Sequence, residues 1–143
     1  MRTWTYPAVV EQRGEQDFVV TFPDIPEAVT GAGSLTEAMS NAEDALNEAI
    51  LEYLARGLGA PSPRAAREGE SDIVLDPVTA SRAALANIMR ERKITNVALA
   101  ARLGKSEGAI RRLTDGSSKV KIDTVIEALK LLGGRAILSD EAD

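Results

Sequence analysis

The sequence TNVALAARLGKSEGAIRRLTDG, residues 95–116, predicts two short helices joined by a tight turn. Thr95 and Ser106 stand where each helix would begin, and a hydroxyl there can accept a backbone N–H of the first turn. Gly104 lies between the two helices, where a left-handed backbone costs glycine little. With the small Ala100 four residues before that glycine and a basic second helix, the pattern indicates a helix-turn-helix. An ordinary helical hairpin is the alternative.

The spacing of apolar residues assigns an inner face to each helix of this stretch. In the first helix the predicted inner residues are Val97, Ala100, Ala101 and Leu103. In the second helix they are Ala109, Ile110 and Leu113, so that the outer face carries Glu107, Gly108, Arg111, Arg112 and Asp115.

The composition argues against most enzyme classes. The chain of 143 residues contains no cysteine and no histidine. Cysteine nucleophiles, disulfides and thiolate zinc sites are therefore impossible, and the commonest general base is missing. We predict no enzyme activity, no catalytic residue, no metal site and no cofactor.

The first residues indicate a cytoplasmic protein with no membrane partner. No apolar run approaches the length that spans a bilayer. The residues Met1, Arg2 and Thr3 lead directly into a strand pattern, so we expect no signal peptide.

The net charge of −5 is divided unevenly along the chain. Residues 1–75 contain 5 basic and 13 acidic side chains, whereas residues 76–143 contain 12 basic and 9 acidic ones. A basic segment suits nucleic acid, and an acidic one suits a cationic protein. A merely solvated surface is the alternative for the acidic part.

Four strands and one helix are predicted in the N-terminal half. The strands cover residues 3–10, 18–22, 28–30 and 73–75, with a hairpin loop at 12–16. Pro7 indicates an edge position or a bulge, because proline cannot donate to a strand ladder. Ser34 and Glu37 form a capping box in front of the helix. Its apolar stripe is Leu35, Ala38, Met39, Ala42, Leu46, Ala49, Ile50, Tyr53 and Leu54, and its other side carries Glu37, Glu43, Asp44, Glu48 and Glu52.

The C-terminal half is predicted to be helical. A helix over residues 82–93, the helix-turn-helix and a last helix over 122–132 are followed by a short exposed strand at 135–138. We place the boundary near residues 76–81, which gives domains of 1–77 and 78–143. The predicted fold class is α+β, a β-β-β-α-β unit followed by an all-α unit.

Several motifs, in this order, resemble the HicB antitoxin family. They are YPAVVE at residues 6–11, FVVTFPDIP at 18–26 and GSLTEA at 33–38, then residues 98–104, 111–113 and 122–124. The resemblance covers nearly the whole chain. It implies a partial RNase H-like domain that binds and neutralises a HicA-type mRNA interferase toxin. It also implies an Xre/Cro-like helix-turn-helix domain that represses its own operon by binding promoter DNA, as a homodimer or higher oligomer on an inverted repeat.

The candidate site residues fall into two sets. Arg111 or Arg112 is expected to contact a base, because a guanidinium can bond guanine at two acceptors. An exposed ion pair between Glu107 and Arg111 is the alternative role. The DNA-binding set is Asn96, Lys105, Ser106, Glu107, Gly108, Arg111, Arg112, Ser117 and Lys119. The toxin-binding set, which follows from the resemblance, is Tyr6, Asp17, Phe22, Asp24, Glu27, Glu48 and Glu52.

Two other functions remain open from the sequence. One is a stand-alone helix-turn-helix regulator whose N-terminal domain senses a small ligand or another protein. The other is a nuclease, which needs a carboxylate cluster for Mg²⁺. Asp17, Asp24 and Asp72 are the carboxylates near strand ends, but nothing in the sequence places all three on one face.

Overall fold

One antiparallel four-stranded sheet and five helices make up residues 1–141, the part of the chain that the computed structural model describes. The predicted order of β-β-β-α-β followed by helices is confirmed, and the fold is α+β. Residues 142 and 143 of the predicted second domain lie outside this part. None of the helices described is long and apolar enough to cross a bilayer. The elements are β1 (Thr5–Gly14), β2 (Asp17–Thr21), β3 (Val29–Ala32), α1 (Leu35–Ala55), β4 (Ser71–Val74), α2 (Pro77–Arg92), α3 (Asn96–Leu103), α4 (Glu107–Thr114) and α5 (Ile122–Leu131).

The strand order in the sheet is β3-β2-β1-β4, so β1 pairs with β2 along one part and with β4 along another. Pro7 lies opposite Asp72 of β4, whereas the pairing with β2 begins only at Val9. The proline therefore occupies the part of β1 that has one neighbour, which its missing N–H requires. The hairpin predicted between the first two strands is confirmed, but its turn is only residues 15–16, shorter than the predicted loop at 12–16, because β1 continues to Gly14. Its last residues are exposed on both faces, so no alternation marks them as strand.

Helix α1 covers one face of the sheet and buries the stripe predicted for it. Ser34 caps the helix by accepting a hydrogen bond from the backbone N–H of Glu37 at 3.2 Å. Leu35, placed in the stripe by its spacing, is instead 50% exposed, since the buried face begins one turn later. The buried α1 residues are Ala38, Ala42, Leu46, Ile50 and Leu54, and they pack against Tyr6, Ala8, Val20, Phe22 and Ile73 of the sheet side.

Helix α2 begins five residues earlier than the predicted residue 82. Asp76 caps it by accepting from the backbone N–H groups of Val78 and Thr79 at 2.9 and 3.1 Å, and Pro77 occupies the first helical turn. An Asp-Pro pair is a favoured helix start, because proline has no N–H to leave unpaired there. The helix packs on two hydrophobic clusters, with Ala80, Ala83 and Ala86 on the sheet side and Leu85 and Met89 among the C-terminal helices.

The inner face of α3 differs from the predicted one. Leu99 and Ala100 are buried, whereas Val97 is 67% exposed and Ala101 is also exposed. A helix of only eight residues with apolar side chains all round permits more than one stripe. Packing against the cluster of Leu85, Ile110, Leu113 and Val125 selects the stripe that contains Leu99.

The strand predicted at residues 135–138 is not formed in the single chain. Within residues 1–141 the last regular element is α5, and the segment after it is irregular. Ile137 is 63% and Leu138 is 87% exposed. The apolar residues on which the strand prediction rested therefore lie in an irregular segment exposed to solvent.

Candidate nucleic-acid interface and acidic face

The unit of α3, turn and α4 is built by the local signals that its sequence contains. The hydroxyl of Thr95 accepts from the backbone N–H of Ala98 at 3.1 Å, and that of Ser106 accepts from Ala109 at 3.1 Å. Gly104 ends α3 with a φ of 65°, in the left-handed region that favours glycine. Only three residues thus separate the end of α3 from the start of α4.

The outer face of α4 carries two arginines. The helix buries Ile110 and Leu113, which leaves the side chains of Arg111 and Arg112 exposed. Arg111 forms an ion pair with Glu107, one turn earlier, at 2.7 Å. Both side chains of this pair are well exposed, so it contributes only a few tenths of a kcal/mol. None of the described acidic side chains forms an ion pair with the side chain of Arg112.

Gly108 lies between these two guanidinium groups. A Cβ built on it would be 3.6 Å from Nη2 of Arg111 and 3.7 Å from Nη1 of Arg112. Both distances are ordinary van der Waals contacts. The two guanidinium groups therefore flank the same small surface, where an anionic ligand would meet both.

Of the remaining residues predicted to bind DNA, Asn96 lines one cavity together with Arg111 of α4. Lys105, Ser106, Ser117 and Lys119 are exposed, and Asn96 is half-buried at the start of α3. The hydroxyl of Ser117 donates to the carboxylate of Asp115 at 2.8 Å.

A buried arginine of α2 forms hydrogen bonds with the C-terminal end of α4. It is not one of the predicted site residues. Arg82 is 5% exposed and donates to the carbonyl oxygens of Arg112, Leu113 and Ser118, each at 3.0 Å. Burial lowers the pKa of Arg82, and Asp115, with an oxygen 3.9 Å away, acts in the opposite direction. The sequence signal was an arginine one helical turn before Leu85, because residues at this spacing share one face of a helix.

The outer face of α1 is acidic along its length. The helix contains no lysine, arginine or histidine among its 21 residues. Its charged side chains, all exposed, are Glu37, Glu43, Asp44, Glu48 and Glu52. This face can attract a cationic surface over several helical turns.

Two residues predicted to contact the toxin are core residues in the structure. Tyr6 is completely buried, and its hydroxyl donates to the carbonyl oxygen of Pro61 at 2.7 Å. Burial raises the pKa of that hydroxyl. Phe22 is 2% exposed within the same cluster. A docking protein cannot reach either side chain, so their role is to support the surface.

Asp24 is held by an ion-pair cluster. Arg64 donates to Asp24 and to Glu70, with N–O distances of 2.8 Å for each pair. The hydrogen bond from Arg64 lowers the pKa of the Glu70 carboxyl from 4.5 to about 2. This cluster ties the segment before β4 to the turn after β2 and leaves Asp24 partly covered.

Glu27 is bonded to α1 through Tyr53, whose hydroxyl donates to the Glu27 carboxylate. This hydrogen bond lowers the pKa of Glu27. Burial and the same hydrogen bond raise the pKa of Tyr53 to about 12. Glu27, Glu48 and Glu52 are all exposed, and Asp17 is exposed at the start of β2.

The carboxylates considered for a nuclease have separate structural roles. Asp24 pairs with Arg64, and Asp72 accepts from the backbone N–H of Ala66 at 2.7 Å. Over residues 1–141, no three acidic side chains come together in a way that could hold a metal ion.

The uncovered face of the sheet is an apolar surface that the sequence reasoning missed. Val9 of β1, Thr21 of β2 and Val29 of β3 lie side by side across three strands. Val9 is 37% and Val29 is 58% exposed. The sequence of β2 contains no signal for this surface, because Phe18, Val19 and Val20 are consecutive apolar residues without alternation.

Comparison with known proteins identifies the class as antitoxins of bacterial toxin–antitoxin systems. A family model described as a HicB-like antitoxin of these systems matches residues 5–98. Antitoxin HicB 2 of Photorhabdus laumondii is 36% identical over 128 residues, which is 90% of each chain. Antitoxin HicB 1 of the same organism is 32% identical over 141 residues, 99% of this chain and 90% of the relative. Antitoxin HicB of Escherichia coli K12 is 35% identical over 128 residues, 90% of this chain and 93% of the relative.

The chain therefore belongs to the HicB-like antitoxin family, as its motifs predicted. Its relatives are named as antitoxins and are not known as enzymes in this role, in agreement with the predicted lack of enzyme activity. Membership of an antitoxin family implies a toxin as partner.

Replacing Arg64 with methionine should raise the pKa of Glu70 from about 2 towards 4.5. A carboxyl whose pKa is lower in the folded than in the unfolded chain stabilises the folded state above its unfolded pKa. The contribution of Glu70 is thus complete above about pH 4.5 and is lost as the pH falls towards 2. We expect Arg64→Met to lower the free energy of unfolding most near neutral pH, and urea unfolding over a pH series measures this.

Arg67→Met is the matched control, because Arg67 contacts the Glu70 carboxylate through its backbone N–H, at 2.8 Å. It should change the pH dependence of stability much less than Arg64→Met does, because the charge of Arg67 lowers the pKa of Glu70 less than the hydrogen bond from Arg64 does. A loss in Arg64→Met that is the same at pH 7 and at pH 2.5 would contradict the role given to this ion pair.

Proposed function

We propose that this chain neutralises a HicA-type mRNA interferase with its N-terminal half and represses its own operon with its C-terminal half. The observation that carries the proposal is the pair of opposite surfaces on a chain of this family. The outer face of α1 is acidic throughout, and the outer face of α4 carries Arg111 and Arg112. One surface suits a cationic protein and the other suits DNA.

The acidic face suits a toxin that cleaves RNA. A protein that binds RNA needs cationic groups for the phosphates. An acidic surface complements such groups and accelerates association with the protein that carries them. We assign the contact to Glu48 and Glu52 of α1, with Glu27, which is bonded to Tyr53 of the same helix, and Asp17 as further members. The unit would be a partial RNase H-like domain, residues 1–77, without nuclease activity.

The proposed DNA-binding unit is an Xre/Cro-like helix-turn-helix in residues 78–143, with α4 as the recognition helix. Its two caps and its glycine turn have the chemistry of such a motif. Arg111 and Arg112 would face the base edges, and Glu107 would hold Arg111 until DNA replaces it. Asn96, Lys105, Ser106, Ser117 and Lys119 would contact phosphates, and Gly108 would let the backbone approach the DNA.

We also propose a homodimer or larger oligomer, joined through the C-terminal segment. A groove of about 440 Å³ runs along α5 and is lined by Ile122, Asp123, Ile126, Glu127 and Lys130. In the proposed dimer, the exposed Ile137 and Leu138 of a second copy would pack against the apolar side chains of this groove. Arg135 of that copy would pair with the carboxylates of Asp123 and Glu127. A dimer would place two recognition helices on an inverted repeat.

Reversing two charges on α1 tests the toxin surface. The double variant Glu48→Lys and Glu52→Lys should bind the toxin encoded beside this gene roughly tenfold more weakly or worse, because like charges then face each other. Glu68→Lys, an exposed charge reversal in the segment before β4 and outside both proposed surfaces, is the control. Calorimetry with purified toxin and co-expression survival are the measurements. If the wild type binds promoter DNA but no toxin, the chain is a stand-alone regulator instead.

Alanine variants test the recognition helix. Arg111→Ala or Arg112→Ala should reduce the preference for the promoter over random DNA, since each bidentate base contact contributes about 1–3 kcal/mol of discrimination. Lys119→Ala should weaken both DNAs alike and reduce the salt slope by about one unit. Binding is measured over a salt series. An unchanged preference in both arginine variants would refute the assignment of α4.

Removing the residues after Gly134 tests the dimer. The full chain should sediment at about twice its 15.2 kDa or more at micromolar concentration. The shortened chain should sediment as a monomer, because the tail that fills the groove is missing. Ile126→Asp, in the groove, should have the same effect as the deletion. Unchanged assembly in both variants would exclude this interface.

A further inference from the structure

The loop after α4, residues 115–118, is held from two sides by other elements. Arg82 of α2 bonds the carbonyl oxygens of Arg112 and Leu113 before the loop and of Ser118 within it. On the other side, Gly116 lies against α1. A Cβ on Gly116 would be 2.4 Å from the carbonyl oxygen of Leu51 and 3.5 Å from the backbone N of Ala55.

The contact made by Arg82 depends on the shape of its side chain. Its planar guanidinium presents fixed donors in several directions, whereas a lysine ammonium presents a compact charge. The carbonyl groups at the end of α4 also carry the negative end of the helix dipole, which favours a cation there. The hydrogen bonds therefore fix both the last turn of α4 and the direction in which the chain leaves it.

The contact at Gly116 fixes the loop against the backbone of α1. Its φ of 73° lies in the left-handed region, and both nearby atoms belong to the main chain of α1. Main-chain atoms of a helix cannot move aside as a side chain can. The position of the loop thus depends on the position of α1.

Further contacts hold the end of α1 to α2. The side-chain amide of Asn87 accepts from the backbone N–H of Ala60 at 2.9 Å and donates to its carbonyl oxygen at 3.0 Å. Arg90 donates to the carbonyl oxygen of Gly57. Helix α2 therefore carries Arg82, which holds the loop, and also the residues that hold the segment after α1.

We propose that this two-sided clamp, Arg82 of α2 and the backbone of α1 against Gly116, sets the position of α4 on DNA. Arg82 and Gly116 are then positioning residues for base recognition, and a helix of the N-terminal half takes part in DNA binding. The proposal rests on the DNA-binding function proposed above. Arg111 and Arg112 lie in the last turn of α4, so a shift of the clamp moves the groups that contact bases.

Gly116→Ala tests the contact with α1, and Gly133→Ala is the matched control. Both glycines have a positive φ, 73° and 82°, but a Cβ on Gly133 meets no atom within 4 Å. The two variants share the strain of the backbone, and only Gly116→Ala also displaces α1. We expect the ratio of promoter to random-DNA affinity to fall roughly tenfold in Gly116→Ala, the size of one lost base contact. It should stay unchanged in Gly133→Ala. Equal ratios in the two variants would overturn the proposal.

Arg82→Lys tests the other side of the clamp. It keeps the charge but loses the planar donors. The promoter affinity should fall, whereas the random-DNA affinity and its salt slope should stay as in the wild type. A merely structural role would lower both affinities together with the folded fraction, and that result would also overturn the proposal.

Amide hydrogen exchange in the DNA-free protein tests the clamp independently of DNA binding. Exchange of the amides in residues 110–118 should accelerate in Gly116→Ala and in Arg82→Lys, but not in Gly133→Ala. Unchanged exchange in both clamp variants would show that no clamp exists. If the wild type binds no promoter DNA although exchange changes as expected, the DNA-binding function is wrong and the role in base recognition is wrong with it.

Discussion

Burial of one helix, α2, against two hydrophobic clusters fixes the arrangement of the two halves. Its small residues Ala80, Ala83 and Ala86 allow close approach to α1 and the sheet, and its larger residues Leu85 and Met89 fill the space among the C-terminal helices. The buried polar side chains found over residues 1–141 all lie on this helix: Thr79, Ser81, Arg82 and Asn87. Apolar contacts alone would allow α2 to slide along its neighbours. The directional hydrogen bonds of Arg82 and Asn87 are satisfied in only one position of the helix. Helix α2 therefore contributes to the cores of both halves.

The parts of the fold that the sequence predicted are those with local causes. The caps at Ser34, Thr95 and Ser106 and the turn at Gly104 each depend on residues within three or four positions. The buried stripe of α1 follows from helical spacing over many turns, so one misplaced residue such as Leu35 does not change the predicted face. The acidic and the basic surfaces followed from composition, because charged side chains on an amphipathic helix point away from its apolar face.

The parts that the sequence could not give depend on contacts between distant residues. Val97 and Leu99 are equally apolar, and only the cluster around α3 decides which of them is buried. Tyr6 matched the family motif as a surface contact, but the fold uses it to bond Pro61, 55 positions away. Asp24 likewise appeared to be available for a partner, although Arg64, 40 positions away, holds it. In each case the residue type fits two roles, and tertiary structure selects one.

Arg82 shows why a charged residue can be a required part of a core. A buried ion pair between two side chains can often be replaced by apolar residues without loss of stability, since both charges leave together. The acceptors of Arg82 are the backbone carbonyl groups of Arg112 and Leu113 in the last turn of α4 and of Ser118 in the loop after it, and no substitution removes them. The last turn of any helix leaves carbonyl groups unpaired, and a buried one without a partner is costly. Once α4 ends beneath α2, some donor on α2 must meet those carbonyl groups. The guanidinium group meets two of them, and the carbonyl group of Ser118 in the loop, at once, so the buried charge follows from where the helix ends.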